Sequence, residues 1–241
     1  MMRVDVGIIG GTGVSERLAE LGGETVHVPT PAGIARGKVV EVDGCTIFSM
    51  KRHSEGHKMP PHLVNYKSAA LGLKALGAKA CFATAAVGSL REDWPTGTQA
   101  VCTDFLDFSG REQTLFDREV VHTDFSFPFG QAARDALIKA AKHGEMCVYV
   151  CSNGPRYETP QEILLYRQLG GDVVGMTAAT EAVLMREAGI DYACLAIVTN
   201  LAAGLSAAPL AHGDVERAMK SAGTEALDVL LEAVRLLVKS E

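Results

Sequence analysis

Apolar residues follow two rhythms along this chain. Short unbroken runs bounded by glycine or polar residues read as buried strands, and longer stretches with apolar positions three and four apart read as helices packed on one face. Residues 4–9 run into Gly10-Gly11 and predict a strand. Residues 38–42 and 45–50 flank Asp43-Gly44, a dipeptide suited to a tight hairpin turn. Residues 62–76 place Leu63, Tyr66, Ala70, Leu73 and Leu76 on one helix face, with Gly77 as the stop. Further strands are predicted over 79–86, 99–102, 146–151, 172–174 and 192–199, the last being strongly apolar. Helices are predicted over 131–143, 177–188 with a stop at Gly189, and 214–238. Another opens at Thr159-Pro160, with Thr159 as cap and Pro160 at the first position. Residues 107–129 are irregular and rich in Phe and charge, and a loop of that length is more often functional than filler.

Alternating strands and helices with an early hairpin predict an α/β fold, a single-domain mixed β-sheet flanked by helices. No repeat, low-complexity tract or linker divides residues 1–241. Hydrophobic residues at 47% against 22% charged fit a compact globular chain rather than a disordered one. A net charge of −6, with no Lys/Arg run longer than two, argues against a nucleic-acid surface. The apolar stretch at 80–90 is too short to cross a bilayer, and residues 1–13 do not read as a secretion signal. Six scattered cysteines without CxxC spacing are expected to be buried free thiols in a reducing, cytoplasmic compartment.

Ligands of such sheets sit at the carboxyl ends of strands, and four segments there carry chemistry. Gly10-Gly11-Thr12-Gly13 can turn backbone N–H groups toward an anion, or simply make a tight turn. Neither a dinucleotide fingerprint nor a P-loop fits, since Glu16 stands at the third glycine position and no Gly-Lys-Ser/Thr follows. A nucleotide-binding oxidoreductase built on this loop is therefore the weaker alternative. Arg52-His53 offers a bidentate fork and a tunable donor for phosphate. Its rivals are a solvated loop and a zinc site using His57 at i+4, which Pro60 and Pro61 and the lack of a third ligand disfavour. Tyr157-Glu158 suits a flat heterocycle, one packing its face and the other accepting a ring N–H, or else forms a solvated capping turn. Gly175-Met176-Thr177 and Thr199-Asn200 complete the set, Asn200 being a polar amide at the end of an apolar strand.

In this order, and together with Ala86-Val87-Gly88-Ser89-Leu90 and Gly154-Pro155-Arg156, these segments resemble the trimeric purine nucleoside phosphorylase and methylthioadenosine phosphorylase family. The resemblance covers residues 6–238 and implies one nucleoside phosphorylase domain over 1–241. It implies phosphate held by Thr12, Arg52, His53, the backbone at Ala85 and Ala86, and Thr177, with Met176 under the ribose and Tyr157 facing the base. Asn200 and His53 would be catalytic, with inorganic phosphate as co-substrate and no metal or organic cofactor. A homotrimer or dimer of trimers is implied, in which His122 reaches a neighbour's site. The aminopurine branch has Asp where this chain has Asn200 and Ala202; with Glu158, this favours 6-oxopurines. His212 falls where 6-oxopurine nucleoside phosphorylases direct a His to the 5′-hydroxyl, which favours inosine or guanosine. The same pattern is also similar to methylthioinosine phosphorylases, and methylthioadenosine is the further alternative.

Overall fold

A computed structural model describes residues 2–11, 13–54, 59–141, 144–206 and 212–239, without the side chains of Ser15, Glu16 and His212. Thr12 and His57 lie outside the described residues, as does the side chain of His212. Among the described residues, nine strands form one sheet. β1 (Val6–Gly10) lies between β4 (Cys45–Lys51) and β5 (Ala80–Ser89), parallel to both. β2 (Glu24–Thr30) and β3 (Gly33–Val42) continue outward from β4 as an antiparallel meander. On the other side, β6 (Gln99–Asp107), β7 (Glu145–Cys151), β8 (Val173–Gly175) and β9 (Asp191–Leu201) complete the sheet. Because β9 pairs with both β6 and β5, and β8 with both β7 and β5, the strands β5-β8-β7-β6-β9 close into a ring.

Side-chain alternation along β1 and β5 sends successive residues to opposite faces, and each face meets its own helices. Ile8 and Phe82 join Val14 and Leu18 of α1 (Val14–Glu20), Ala133 and Leu137 of α3 (Gln131–Ala141), and Met219 and Leu230 of α6 (His212–Val238). Ile9 and Ala83 join Leu73 of α2 (Tyr66–Leu76) and Ala178, Ala182 and Met185 of α5 (Ala178–Ala188). A smaller cluster seats Ile163 and Tyr166 of α4 (Pro160–Gln168) on Leu90, Val150 and Val174.

The mixed sheet flanked by helices agrees with the expectation from sequence, and the hairpin forms with Asp43 and Gly44 both at positive φ (51° and 80°). Several boundaries differ. The helix expected from 62 begins at Tyr66, because Pro61–Leu63 makes a separate 3-10 turn. β5 continues to Ser89, β6 to Asp107 and β9 to Leu201, each carried onward by cross-strand pairing. The sequence reading missed α1 and β2; α1 has only seven residues, and β2 is an edge strand with Val28 alone buried.

Ring closure also opens the cleft. β1 accompanies β5 only as far as Ala83, and β8 joins the same edge at Gly88. Thr84 to Val87 are left facing the gap, close to the ends of β1 and β4.

The loop leading into α4 ends in a capping box: the Thr159 hydroxyl accepts from the Glu162 amide (3.2 Å) and the Glu162 carboxylate accepts from the Thr159 amide (2.7 Å). Hydrogen bonds from Arg156, then that amide, hold the Glu162 carboxyl at about 2, below its ordinary 4.5. A folded-state value below the unfolded one means that this contribution is full above pH 4.5 and is lost as pH falls through about 2. Thr159→Ala should lower stability by about 1 kcal/mol, read as a fall in urea midpoint at unchanged slope; an unmoved midpoint would show that the cap contributes nothing.

Candidate active site

Strand ends converge on one cavity of about 540 Å³, within the roughly 300–1,000 Å³ usual for small-molecule sites. Gly11 follows β1, Arg52 and His53 follow β4, Ala86 and Val87 come from the open stretch of β5, and Gly88 from the point where β8 joins it. Pro155, Tyr157 and Glu158 follow β7, Met176 and Thr177 follow β8, and Thr199, Asn200 and Ala202 come from the end of β9 and beyond it. Met59, Pro60, Pro61 and Val215 add an apolar border. Of the residues expected from sequence, Arg52, His53, Ala86, Tyr157, Glu158, Met176, Thr177, Asn200 and Ala202 are thus brought together. Ala85 is buried but not in the lining, and His122 is exposed outside it.

The floor is built around Arg52. Its Nε and Nη2 donate to the two oxygens of Glu181 at 2.5 and 2.8 Å, and Nη1 donates to the Thr84 carbonyl at 2.8 Å. The Tyr192 hydroxyl donates to the same carboxylate at 2.6 Å. All of these side chains are buried. Burial opposes the arginine charge, but attraction and hydrogen bonding to Glu181 outweigh it, so its pKa stays above the ordinary value. The fork anticipated for an anion is therefore closed on a carboxylate. Of its five N–H donors, three are used in these bonds and two remain, one on each terminal nitrogen. Gly11 lies directly over this group: a Cβ there would stand 2.8 Å from Nη1 and 3.0 Å from the Thr84 carbonyl. Its amide donates to the Thr84 hydroxyl at 3.2 Å. His53 Nδ1 lies 2.9 Å from the Met59 carbonyl, which can only accept, so Nδ1 carries the proton. Thr177 caps α5 without a side-chain capping bond, while its amide and that of Ala178 donate to the Tyr149 hydroxyl at 3.1 and 3.4 Å.

The opposite wall carries groups suited to a base. Glu158 is buried, and its Oε1 accepts from the Ser152 hydroxyl at 2.5 Å. Burial, then the Glu158 charge, raises the Tyr157 phenol above its ordinary value, so it remains a neutral aromatic surface. Asn200 Nδ2 donates to the Leu201 carbonyl at 2.8 Å, and its Oδ1 lies 2.9 Å from the Thr199 hydroxyl. One N–H and one lone pair of the amide are left by these two bonds.

Between the walls, Gly154 (φ 66°) passes so close to Met176 that a Cβ there would overlap the sulfur. Arg111, from the irregular loop, fixes this region. It donates to the Asn153 side chain (3.0 Å) and carbonyl (2.5 Å), the Met176 carbonyl (2.9 Å) and the Thr180 hydroxyl (2.9 Å), and lies over the Tyr66 ring. Sequence reading missed Glu181, Tyr192, Thr84, Ser152 and Arg111. Only Glu181 left a local trace, as a carboxylate on a helix otherwise dominated by small and apolar residues near its start. Among the described residues, no group of three His, Cys, Asp or Glu side chains is placed to hold a metal, and no helix is long and apolar enough to cross a membrane.

Comparisons with known proteins identify the family and agree with the fold. Residues 5–235 match the family model described as phosphorylase superfamily. The chain is 41% identical over 238 residues to a Moorella thermoacetica protein named probable 6-oxopurine nucleoside phosphorylase, covering 95% of this chain and 92% of the relative. It is 40% identical over 234 residues to a Methanothermobacter thermautotrophicus protein named probable S-methyl-5′-thioinosine phosphorylase, covering 95% and 83%. The crystal structure of a mutant adenosine/methylthioadenosine phosphorylase from Schistosoma mansoni, in complex with methylthioadenosine, superposes with a TM-score of 0.90 at 32% identity, covering 99% of this chain and 93% of that one.

Glu181→Ala should destabilise the protein by about 3–5 kcal/mol, because it strands a buried guanidinium without its counter-charge. Chemical denaturation reads this directly, and a loss below about 1 kcal/mol would show that Arg52 finds another partner.

Proposed function

The chain belongs to the phosphorylase superfamily and is a purine nucleoside phosphorylase; we propose that its substrates are 6-oxopurine nucleosides, inosine and guanosine, cleaved by inorganic phosphate to free base and ribose 1-phosphate in purine salvage. The observation that carries the 6-oxopurine reading is the pairing of Asn200 and Ala202 with the buried carboxylate of Glu158 in one cavity lining. A 6-oxopurine presents an N1–H donor and an O6 acceptor. Glu158 can accept from the first, and the unused N–H of Asn200 can donate to the second. Adenine reverses both groups and would leave buried polar atoms mispaired, at about 1–3 kcal/mol per contact.

Phosphate is assigned to the Arg52 end. The two unused Arg52 donors, His53, Thr177 and Gly11 line that end of the cavity. Thr84 turns its carbonyl to Arg52, so by two-residue alternation Ala86 presents its N–H on the same open edge. The reaction breaks the bond between C1′ and the base nitrogen and forms one from C1′ to a phosphate oxygen. The bonding pair leaves with the base, while the sugar becomes cation-like against the anion beneath it. The one unused N–H of Asn200, shared between N7 and O6, stabilises the departing base as charge develops there, a preorganised contact worth about 3 kcal/mol. Holding phosphate against C1′ over Met176 supplies the positional advantage.

One observation favours methylthioinosine as a second substrate. Val215, in the first turn of α6, lines the cavity and makes that border partly apolar. The exposed position of His122 is compatible with a trimer in which it serves a neighbouring site. Six free, buried cysteines support a reducing, cytoplasmic setting.

Steady-state assays on inosine, guanosine, adenosine, methylthioadenosine and methylthioinosine, with and without phosphate, test the proposal. Base release from inosine or guanosine that depends on phosphate is expected; equal release without it would mean hydrolysis. Asn200→Asp should shift the inosine-to-adenosine ratio of kcat/KM at least about tenfold toward adenosine, and an unmoved ratio would remove Asn200 from this role.

A further inference from the structure

We propose that Ser152 is a positioning residue that sets which purine the cavity accepts, by anchoring one oxygen of Glu158 so that the other faces the base; the inference rests on the 6-oxopurine reading above. Ser152 is the first residue after β7, and its amide bonds the Gly175 carbonyl at 2.8 Å, which fixes its backbone against the end of β8. Its hydroxyl has one proton and two acceptors in range, Glu158 Oε1 at 2.5 Å and the Gly175 carbonyl at 3.5 Å. The shorter, charge-assisted bond dominates. Both side chains are nine-tenths buried, so water competes little.

Glu158 stands in a wall between two spaces. One is the main cavity; the other is a smaller cavity of about 220 Å³ lined by Phe108, Ser152, Asn153, Arg156 and Tyr166. The Arg156 guanidinium in that second space attracts the carboxylate while pairing with Glu162 at 2.7 and 2.8 Å. Rotation of the Glu158 carboxyl toward Arg156 would withdraw the acceptor from the base. Ser152 stands on the smaller-cavity side and bonds Oε1 there, leaving Oε2 for the ring N–H. A neutral hydroxyl achieves this without adding a charge that would compete for the base.

The test is steady-state phosphorolysis by the full-length enzyme. Ser152→Ala should lower kcat/KM for inosine about tenfold while leaving that for adenosine unchanged or higher. Ser152→Thr, which keeps the hydroxyl, should return inosine cleavage to within about threefold of wild type. In a Glu158→Gln background the Ser152→Ala penalty should shrink below about twofold, since the two residues act as a unit. A merely structural role would give equal losses on both nucleosides and a penalty that persists beside Glu158→Gln; either result, or a Thr variant no better than the Ala variant, overturns the proposal. A wild-type enzyme inactive on both inosine and guanosine would instead remove the substrate reading on which it rests.

Discussion

A buried ion pair fixes the geometry on which the site depends. Arg52 leaves the end of β4, Glu181 sits in the first turn of α5, Tyr192 comes from β9, and the Thr84 carbonyl comes from the open edge of β5. Gly11, after β1, packs on the same guanidinium. Five elements far apart in the chain are thus referred to one planar group. A charge in the interior is tolerated when it is paired and held by hydrogen bonds, so each partner has little freedom to shift. The same burial leaves Arg52 with only two N–H donors beyond its structural bonds, so an anion would meet a rigid, already oriented cation rather than a mobile one.

The rest of the cavity follows from how the sheet closes. A ring made of β5, β8, β7, β6 and β9 cannot also keep β1 alongside β5 over its whole length, and the gap between the two partners becomes the cleft. Phosphate chemistry is assigned to the end nearest β1 and β4, and base recognition to the ends of β7 and β9. Between them Arg111 holds Asn153, Met176 and Thr180 to one another, so the surface proposed to lie beneath the sugar is braced from outside the sheet. Two arginines, one deep and one lateral, thereby set the spacing between the two halves of the site.

Much of the frame was legible because its signals are local. The hairpin at Asp43-Gly44, the cap at Thr159 with Pro160, and the stop of α5 at Gly189 each depend on neighbouring residues alone. The candidate site was legible for a related reason: polar or glycine-rich residues at strand ends are conspicuous after apolar runs. What escaped depends on contacts made across the chain. Strand lengths for β5, β6 and β9 were underestimated because pairing with distant partners, not local pattern, extends them. Arg52 was visible, but Glu181 lies 129 residues away and gives no spacing signal. Ser152 and Arg111 were overlooked because a serine after a strand and an arginine in a charged loop are ordinary in sequence; only the partners reveal them.

The central claim is that one cavity binds an oxyanion beside Arg52 and a purine between Glu158 and Asn200. A crystal structure with phosphate and hypoxanthine bound tests it most directly. The account predicts an anion within hydrogen-bonding distance of the outer Arg52 nitrogens and Thr177, with the base N1 facing the Glu158 carboxylate and its N7–O6 edge facing the Asn200 amide. An anion bound elsewhere, or a base seated with Asn200 turned from it, would contradict the account.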